Sequence, residues 1–206
     1  MELGQWRAIA TFAVIALAMG AVLLLRPWSG GGHTSGQGLD GGSFTTAYQP
    51  GWGLTVRHGT SGAARYQLSS NQAPVDGLGI GPPGTIAITI DEMPVSLLRK
   101  MYLAGGSPDP AAASQTSIEL LPHSVGTPAG AQSVVRTESP HATYLDGADA
   151  ASEAYTYSLG GHGNLQVDIL SHRGGQLFLL ELDTELLAAP QGQAALETIT
   201  SNWRWR

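Results

Sequence analysis

Two apolar runs stand back to back near the end of the chain, at Asn164–Ser171 and Gln176–Leu182. Every second residue from Leu165 to Ile169 is a large aliphatic, which is typical of a β-strand with one buried face. The runs are separated by a short segment that contains Gly174-Gly175, and such a pair is typical of a tight hairpin turn. The pattern therefore predicts a β-hairpin. The nearly continuous second run predicts a strand that is covered on both faces.

Helical spacing replaces this alternation after the hairpin. In the segment Gln191–Asn202, Ala195 and Ile199 fall on one stripe, and Trp203 extends that stripe by one more turn. We predict a C-terminal helix whose apolar stripe covers the hairpin, with Trp203 turned into the core. Burying each large side chain of this stripe should contribute about 1.5–3 kcal/mol.

Shorter alternating segments precede the hairpin and are separated by turns rich in glycine and proline. The clearest is the run of β-branched residues at 85–90, which Asp91, Glu92 and Met93 are expected to end. Because strands outnumber helices, the predicted class is α+β, with an antiparallel sheet flanked by helices. The further predicted elements are strands at 44–49, 53–58, 65–69, 117–121, 132–138 and 151–159, a helix at Pro94–Leu103, and loops at Asn71–Gly84 and Ser139–Ala150.

An uninterrupted apolar run of a different kind lies at Ala8–Leu25. As a helix it would be about 27 Å long, close to the thickness of the hydrocarbon layer of a bilayer. Arg7 and Arg26 bracket the run, and Trp6 and Trp28 lie just outside it, where indole rings prefer the lipid headgroups. The pattern predicts one transmembrane helix over residues 8–25, within an anchor of residues 1–28.

The alternative interpretation of this run is a cleaved signal peptide. Ala16-Leu17-Ala18 has the small-x-small pattern of a cleavage site, but it lies inside the apolar run, so we favour an uncleaved anchor. The segment before the run is short, which favours an extracytoplasmic C-terminal domain. We expect a flexible glycine-rich linker at 29–42 and a folded domain at 43–206.

Net charge, cysteine content and histidine spacing argue against several classes of function. The formal net charge of the 206 residues is −6 and there is no basic stripe, so we expect no nucleic-acid partner. There are no cysteines, which excludes disulfides, thiolate metal sites and a cysteine nucleophile. The histidines show no metal-binding spacing, and we predict neither a metal site nor a cofactor.

The order of these elements resembles a known family. An aromatic strand leads into a glycine-containing one through Tyr48-Gln49-Pro50-Gly51-Trp52-Gly53-Leu54, and the chain closes with a long hairpin and a helix that ends at Ile199-Thr200-Ser201-Asn202-Trp203. Over about 44–203 this resembles the PsbP-like fold. The resemblance implies an α/β/α sandwich around an antiparallel sheet and a binding or assembly module without catalysis. It implies no particular functional residues.

Enzymatic alternatives depend on a few polar residues. Asp168 and His172 near the hairpin turn, or Asp91 and Glu92 at a strand end, could support an anchored or secreted hydrolase. A different alternative is a sensor domain that binds a small ligand beside Trp52, Tyr155 and Tyr157. Gly160-Gly161-His162-Gly163 joins two strands instead of opening a helix, so we interpret it as a turn and not as a phosphate cradle.

The last residues offer the preferred contact site. If Trp203 turns inward, then Trp205 is exposed or contacts a partner, and Arg204 and Arg206 flank it in a mostly acidic domain. The sequence therefore predicts a single-pass membrane protein, whose partners are the lipid bilayer and a protein. We predict a non-enzymatic accessory or assembly subunit of a membrane complex.

Overall fold

A computed structural model describes residues 36–59, 62–72, 82, 84–96, 128 and 130–206. All of them belong to one compact unit, His33–Arg206. The elements are β1 (Gln37–Asp40), β2 (Phe44–Tyr48), β3 (Gly53–His58), β4 (Ala64–Ser69), β5 (Ile86–Pro94), β6 (Gln132–Leu145), β7 (Ala148–Leu159), β8 (His162–Arg173), β9 (Gln176–Glu185), a 3₁₀ turn (Leu186–Ala188), α1 (Ala189–Ser201) and β10 (Arg204–Trp205).

Seven strands form the larger sheet, in the order β3-β4-β5-β9-β8-β7-β6, and every neighbouring pair is antiparallel. The predicted hairpin is confirmed as β8–β9, and it is longer than predicted. Its turn residues Gly174 and Gly175 have φ of 59° and 78°, the left-handed values that a two-residue type I′ turn needs. The prediction that β9 is central is also confirmed, because β9 lies between β5 and β8.

The face of the larger sheet that α1 covers is almost entirely apolar. Gly192 of α1 lies directly over this face, and a Cβ atom there would be 3.1 Å from both Leu182 and Thr184. The predicted apolar stripe of the helix is confirmed, since Ala195 and Ile199 are buried. The sheet contributes alternating residues of adjacent strands to this core: Leu68, Ile86, Ile88, Ile90, Leu165, Val167, Ile169, Leu180 and Leu182.

A three-stranded sheet, in the order β1-β2-β10, is joined to the larger one through aromatic rings. Phe44 stacks on Trp203 with ring centroids 4.0 Å apart and planes 5° apart. Phe178 of β9 meets both rings edge-on, at 6.0 and 6.1 Å. Thr46 Oγ1 donates a hydrogen bond of 2.6 Å to the Ile199 carbonyl of α1. The inward orientation predicted for Trp203 is confirmed, since its exposed fraction is 0%.

Three boundary predictions are wrong. Residues Gln37–Asp40, assigned to the linker, form β1 and pair with β2. The predicted stop at Asp91, Glu92 and Met93 is absent, because β5 stays paired with β9 as far as Pro94. The predicted loop Ser139–Ala150 is mostly strand, interrupted only by the turn at Asp146-Gly147. In the last two cases, pairing with a long neighbouring strand overrides the weak local preference of acids, proline and glycine.

The opposite face of the larger sheet carries a smaller apolar cluster beside polar rows. Ala151, Leu170, Leu177 and Leu179 are buried there, and Met93 packs against them together with Val95. Within the described residues, α1 is the one helix longer than a single turn. The helix predicted at Pro94–Leu103 lies outside the described residues beyond Ser96, and so does the strand predicted at 117–121.

The predicted membrane anchor also lies outside the described residues. This applies to the helix at 8–25 and to its flanking residues Trp6, Arg7, Arg26 and Trp28. In the part of the chain that the structure describes, no helix has the length and hydrophobicity needed to cross a membrane.

The close approach of α1 to the sheet predicts the effect of enlarging Gly192. We expect Gly192→Leu to lower the free energy of unfolding by about 1–3 kcal/mol, because the added side chain collides with Leu182, Thr184 and Ile86. Urea unfolding followed by circular dichroism measures this change. Gln191→Leu is the matched control, since Gln191 is exposed on the same helix and should change stability by about 0.5 kcal/mol or less. Equal effects of the two substitutions would contradict the packing.

Candidate functional site

The most unusual polar feature of the described residues is a row of carboxylates across the face opposite α1. Glu153 of β7 lies opposite Asp168 of β8, which lies opposite Glu181 of β9. Neighbouring strands are about 4.8 Å apart, so three acids follow one another at that spacing. Glu153 and Asp168 have an exposed fraction of 0%, and Glu181 is partly buried. We call these three residues the acidic row.

Each end of the acidic row is close to an arginine. Arg136 Nη2 of the edge strand β6 lies 3.4 Å from Glu153 Oε2. At the other end, Arg65 of β4 donates two hydrogen bonds of 2.6 Å to the two carboxylate oxygens of Asp91. Arg65 also interacts electrostatically with Glu181. The two arginines thus partly balance the negative charge from the two sides of the sheet.

Uncharged side chains donate hydrogen bonds to the central carboxylate of the row and to a carboxylate beside it. Gln166 Nε2 donates to both oxygens of Asp168, at 3.1 and 2.9 Å. One step further along the strands, Tyr157 donates its hydroxyl proton to Asp183. Asp183 is itself buried and lies opposite Gln166 in the register of β8 and β9. The carboxylates therefore belong to a polar layer inside the domain, where hydrogen bonds offset part of the cost of burying charge.

Burial and mutual repulsion favour the protonated forms of the central acids. Burial, together with the nearby Asp183 and Asp91, raises the pKa of Glu181 to about 7, while Arg65 acts in the opposite direction. The pKa of Asp168 is raised well above its usual value, first by burial and then by Glu181, although its bond from Gln166 acts against this. Burial also raises the pKa of Tyr157, which therefore remains a hydrogen-bond donor.

The chemistry available to the acidic row is proton uptake near neutral pH. No group of three or more metal-ligating side chains is placed to hold a metal ion within the described parts of the chain. Asp168 and Glu153 are closed off from solvent, whereas Glu181 retains some exposure. The row can therefore exchange protons with solvent through Glu181, and its charge varies with pH.

The residues suggested for a hydrolase are not brought together. Asp168 and His172 lie on the same face of β8, but Leu170 separates them and is buried between them. Asp91 lies two strands from Asp168, and Glu92 points to the α1 side of the sheet, in register with Phe178. His162 lies at the far end of β8, where its Nδ1 is 3.3 Å from Glu185 Oε1.

The aromatic residues suggested for a ligand groove also separate. Tyr157 is buried and bonded to Asp183, while Tyr155, partly exposed, accepts a hydrogen bond of 2.9 Å from Arg136. Trp52 lies in the turn before β3 and is partly buried. Most of these rings thus serve packing or hydrogen bonding within the domain.

The C-terminal contact site is partly occupied by the domain itself. The indole of Trp205 packs at 4.8 Å from Phe178, and its Nε1 donates a 2.7 Å hydrogen bond to the Leu145 carbonyl. The guanidinium of Arg173 lies 5.4 Å from the centre of the same ring. These contacts hold Trp205 against the body of the domain, whereas the sequence predicted an indole that is exposed or bound by a partner.

The flanking arginines form ion pairs at the surface. Arg204 Nη1 is 3.7 Å from Asp146 Oδ1, and Arg206 Nη1 is 3.0 Å from Asp40 Oδ2. Both side chains are about half exposed. A role for Arg204, Trp205 and Arg206 in binding a partner remains a prediction.

Sequence reasoning missed Glu153, Glu181 and Asp183, although a signal was present. The glycine pairs at 160–161 and 174–175 fix two hairpin registers, and these registers place Glu153 beside Asp168 and Asp168 beside Glu181. Counting outward from the two turns would have revealed the row. What the turns could not show is that this face of the sheet is buried.

No protein-family model matches the chain, and no curated protein matches it by sequence. Solved structures of similar architecture include a protein from Bacteroides thetaiotaomicron, with a TM-score of 0.47 and 11% identity over 84% of this chain and 49% of that one. This chain therefore spans about half the length of the Bacteroides protein.

Two other similar structures carry descriptive names. The cyanobacterial PsbP of Synechocystis has a TM-score of 0.43 and 14% identity, over 88% of this chain and 99% of its own. LpqN of Mycobacterium tuberculosis, involved in cell envelope biogenesis, has a TM-score of 0.38 and 15% identity, over 83% and 85%. The first bears the name of the family that the sequence resembles. The α+β class itself follows from the antiparallel strands and the C-terminal helix.

The raised pKa of Glu181 predicts a pH-dependent stability. The folded domain binds this proton more tightly than the unfolded chain, so stability is lost as the pH rises from about 4.5 to about 7. We expect the contribution of Glu181 to the free energy of unfolding to fall by about 3 kcal/mol across that range. Asp168 acts in the same direction. Urea unfolding at a series of pH values measures the slope.

Glu181→Gln should flatten this slope, because the amide cannot ionise. The matched control is Glu197→Gln, which makes the same change at an exposed position of α1 and should leave the slope as it is. If Glu181→Gln and Glu197→Gln gave the same slope as the unsubstituted chain, the assignment of proton binding to Glu181 would be wrong.

Proposed function

We propose that residues 43–206 form a PsbP-like, extracytoplasmic binding module that residues 8–25 anchor in the membrane, and that the protein is an accessory or assembly subunit of a membrane complex. The strongest support is the different placement of the ionisable groups of the acidic row and of the apolar surface groups. The carboxylates of the acidic row face inward, whereas the described surface carries exposed apolar groups. Such groups are suited to contact with another protein.

The apolar surface groups are concentrated on outer strands. Val134 and Val135 follow one another on the edge strand β6 and are 44% and 53% exposed. Tyr144 near the end of the same strand is 66% exposed, and Val56 lies on the opposite edge strand β3. Exposed positions on edge strands are free to meet a partner without rearrangement of the core. The proposal of a contact function follows from this placement together with the predicted anchor.

The membrane location is tested with cysteine labelling, which the chain suits because it contains no cysteine. Leu187→Cys places a thiol at a position that is 92% exposed. In intact spheroplasts we expect a membrane-impermeant maleimide to label this variant fully. Ala154→Cys, at a fully buried position, is the matched control and should react only after denaturation. Labelling of Leu187→Cys only after the membrane is permeabilised would contradict the proposed orientation.

The anchor is tested by exchange and deletion. Full-length protein should stay in the membrane fraction after extraction with alkaline carbonate, and a chain lacking residues 8–25 should be released. Replacing residues 8–25 with an unrelated apolar helix of the same length should restore membrane association. Full-length protein that is released by carbonate would contradict an uncleaved anchor.

The accessory role is tested by purification from native membranes in mild detergent after chemical cross-linking. Both the natural chain and the chain with the unrelated anchor should recover the same partner, since recognition is assigned to residues 43–206. The chain lacking an anchor should recover at least tenfold less. Recovery only with the natural anchor would move recognition to residues 8–25 and overturn the proposed role of the folded domain.

A further inference from the structure

The two edges of the seven-stranded sheet are built differently. The edge strand β6 is irregular, because its register with β7 shifts at three places, between Gln132 and Val135, between Arg136 and Glu138, and between Glu138 and His141. It also contains Pro140, which has no backbone N–H to donate. Bulges and proline are two of the devices by which proteins hinder another strand from pairing with an exposed edge.

The opposite edge strand, β3, has none of these devices. Its six residues, Gly53–His58, pair one to one with β4 without a register shift, and the strand contains no proline. No other strand of the described residues lies on its outer side. The residues from Thr55 to His58 are all exposed, and Val56 is 41% exposed. The edge is therefore regular and open, which is what the addition of a further strand requires.

The charge on this edge is positive, although the chain as a whole is acidic. Arg57 is exposed and forms no ion pair with any residue that the structure describes. Its neighbour on β4, Arg65, forms an ion pair with Asp91. The strand β3 itself contains no acid. Arg57 thus presents an unmatched positive charge at a sheet edge, within a chain of net charge −6.

We propose that β3 is the docking edge for an extended, acidic segment of a partner protein, which adds to the sheet as an eighth strand. Backbone hydrogen bonds to β3 provide the affinity, a β-branched residue packs beside Val56, and a carboxylate pairs with Arg57. This inference rests on the proposed binding function and names the surface and the kind of partner.

A second copy of this chain matches the edge less well. If two β3 strands paired antiparallel about Val56, then each Arg57 would lie opposite Thr55 of the other copy. Both arginines would remain without a carboxylate, and two chains of net charge −6 would be brought together. An acidic strand supplies the charge that the edge lacks. The occupant to which the geometry points is therefore a different protein.

The test uses the full-length chain in detergent and a fluorescent peptide of alternating valine and glutamate. Fluorescence anisotropy gives the affinity, and hydrogen–deuterium exchange followed by mass spectrometry gives the location. We expect the peptide to slow exchange across Gly53–His58 and to leave exchange across β6 unchanged. A peptide that is N-methylated at every residue should not bind, because neither of its edges can donate a backbone hydrogen bond to β3.

Charge reversal tests the role of Arg57. We expect Arg57→Glu to lower the affinity for the glutamate peptide by about fivefold or more. The same substitution should raise the affinity for a peptide with lysine in place of glutamate. Arg57→Gln, which removes the charge without reversing it, should give an intermediate affinity. Gln132→Glu adds one negative charge at an exposed position of the bulged edge, as the matched control, and should leave both affinities within about twofold.

Three outcomes of the exchange experiment would overturn the proposal. The first is unchanged exchange across Gly53–His58 at millimolar peptide, and the second is protection of β6 instead. The third is protection of β3 that increases with protein concentration without peptide, which would assign the edge to a second copy.

If Arg57→Glu recovers the cross-linked membrane partner as well as the unsubstituted chain does, this inference fails and the binding module stands. If no chain recovers a partner, the proposed function fails, whatever the peptide shows.

Discussion

The stacking of Phe44 on Trp203 is the contact on which the architecture depends. It joins three distant parts of the chain, because Phe44 begins β2, Trp203 follows α1, and Phe178 of β9 meets both rings edge-on. Each aromatic pair contributes about 0.5–1.5 kcal/mol beyond the burial of its surface. With Trp203 fixed, the next residues run beside β2, and Arg204 pairs with Thr45. The smaller sheet is thus completed by the residues that follow the stacked indole.

The two faces of the larger sheet bury different kinds of side chain. Beneath α1, aliphatic side chains alternate along the strands, and the helix approaches them closely because Gly192 has no side chain. On the other face, the acidic row is buried, and the cations that lie near it among the described residues are Arg65 and Arg136. Burying charge is costly unless it is paired or neutralised, so protonation of Asp168 and Glu181 lowers this cost. Stability is thereby coupled to pH through residues that lie far from the sheet edges.

The two edges of the larger sheet differ in regularity and in charge. The bulges and Pro140 allow β6 to expose Val134 and Val135 without offering a regular row of backbone groups. The regular strand β3 offers that row, together with an unmatched charge at Arg57. A single sheet therefore has two edges of different construction. The edges and the acidic row use separate residues, since the row is carried mainly by the central strands.

Local chemistry was enough to predict the hairpin β8–β9, the helix α1 and the inward turn of Trp203. A Gly-Gly pair fixes a turn, a turn fixes a register, and a register decides which side chains share a face. The same reasoning could have placed Glu153, Asp168 and Glu181 in one row. The same local patterns predicted the α+β class, which the observed strands and helix confirm.

The tertiary structure alone decided which strands are neighbours across long stretches of chain. Neither the pairing of β5 with β9 nor that of β10 with β2 leaves a trace in local periodicity. The same holds for β1, which looked like linker, and for Trp205, which looked free until Phe178 and Leu145 were placed beside it. Periodicity records which face of an element is apolar. The partner of that face depends on the fit between side chains that are remote in sequence, and only the folded chain brings them together.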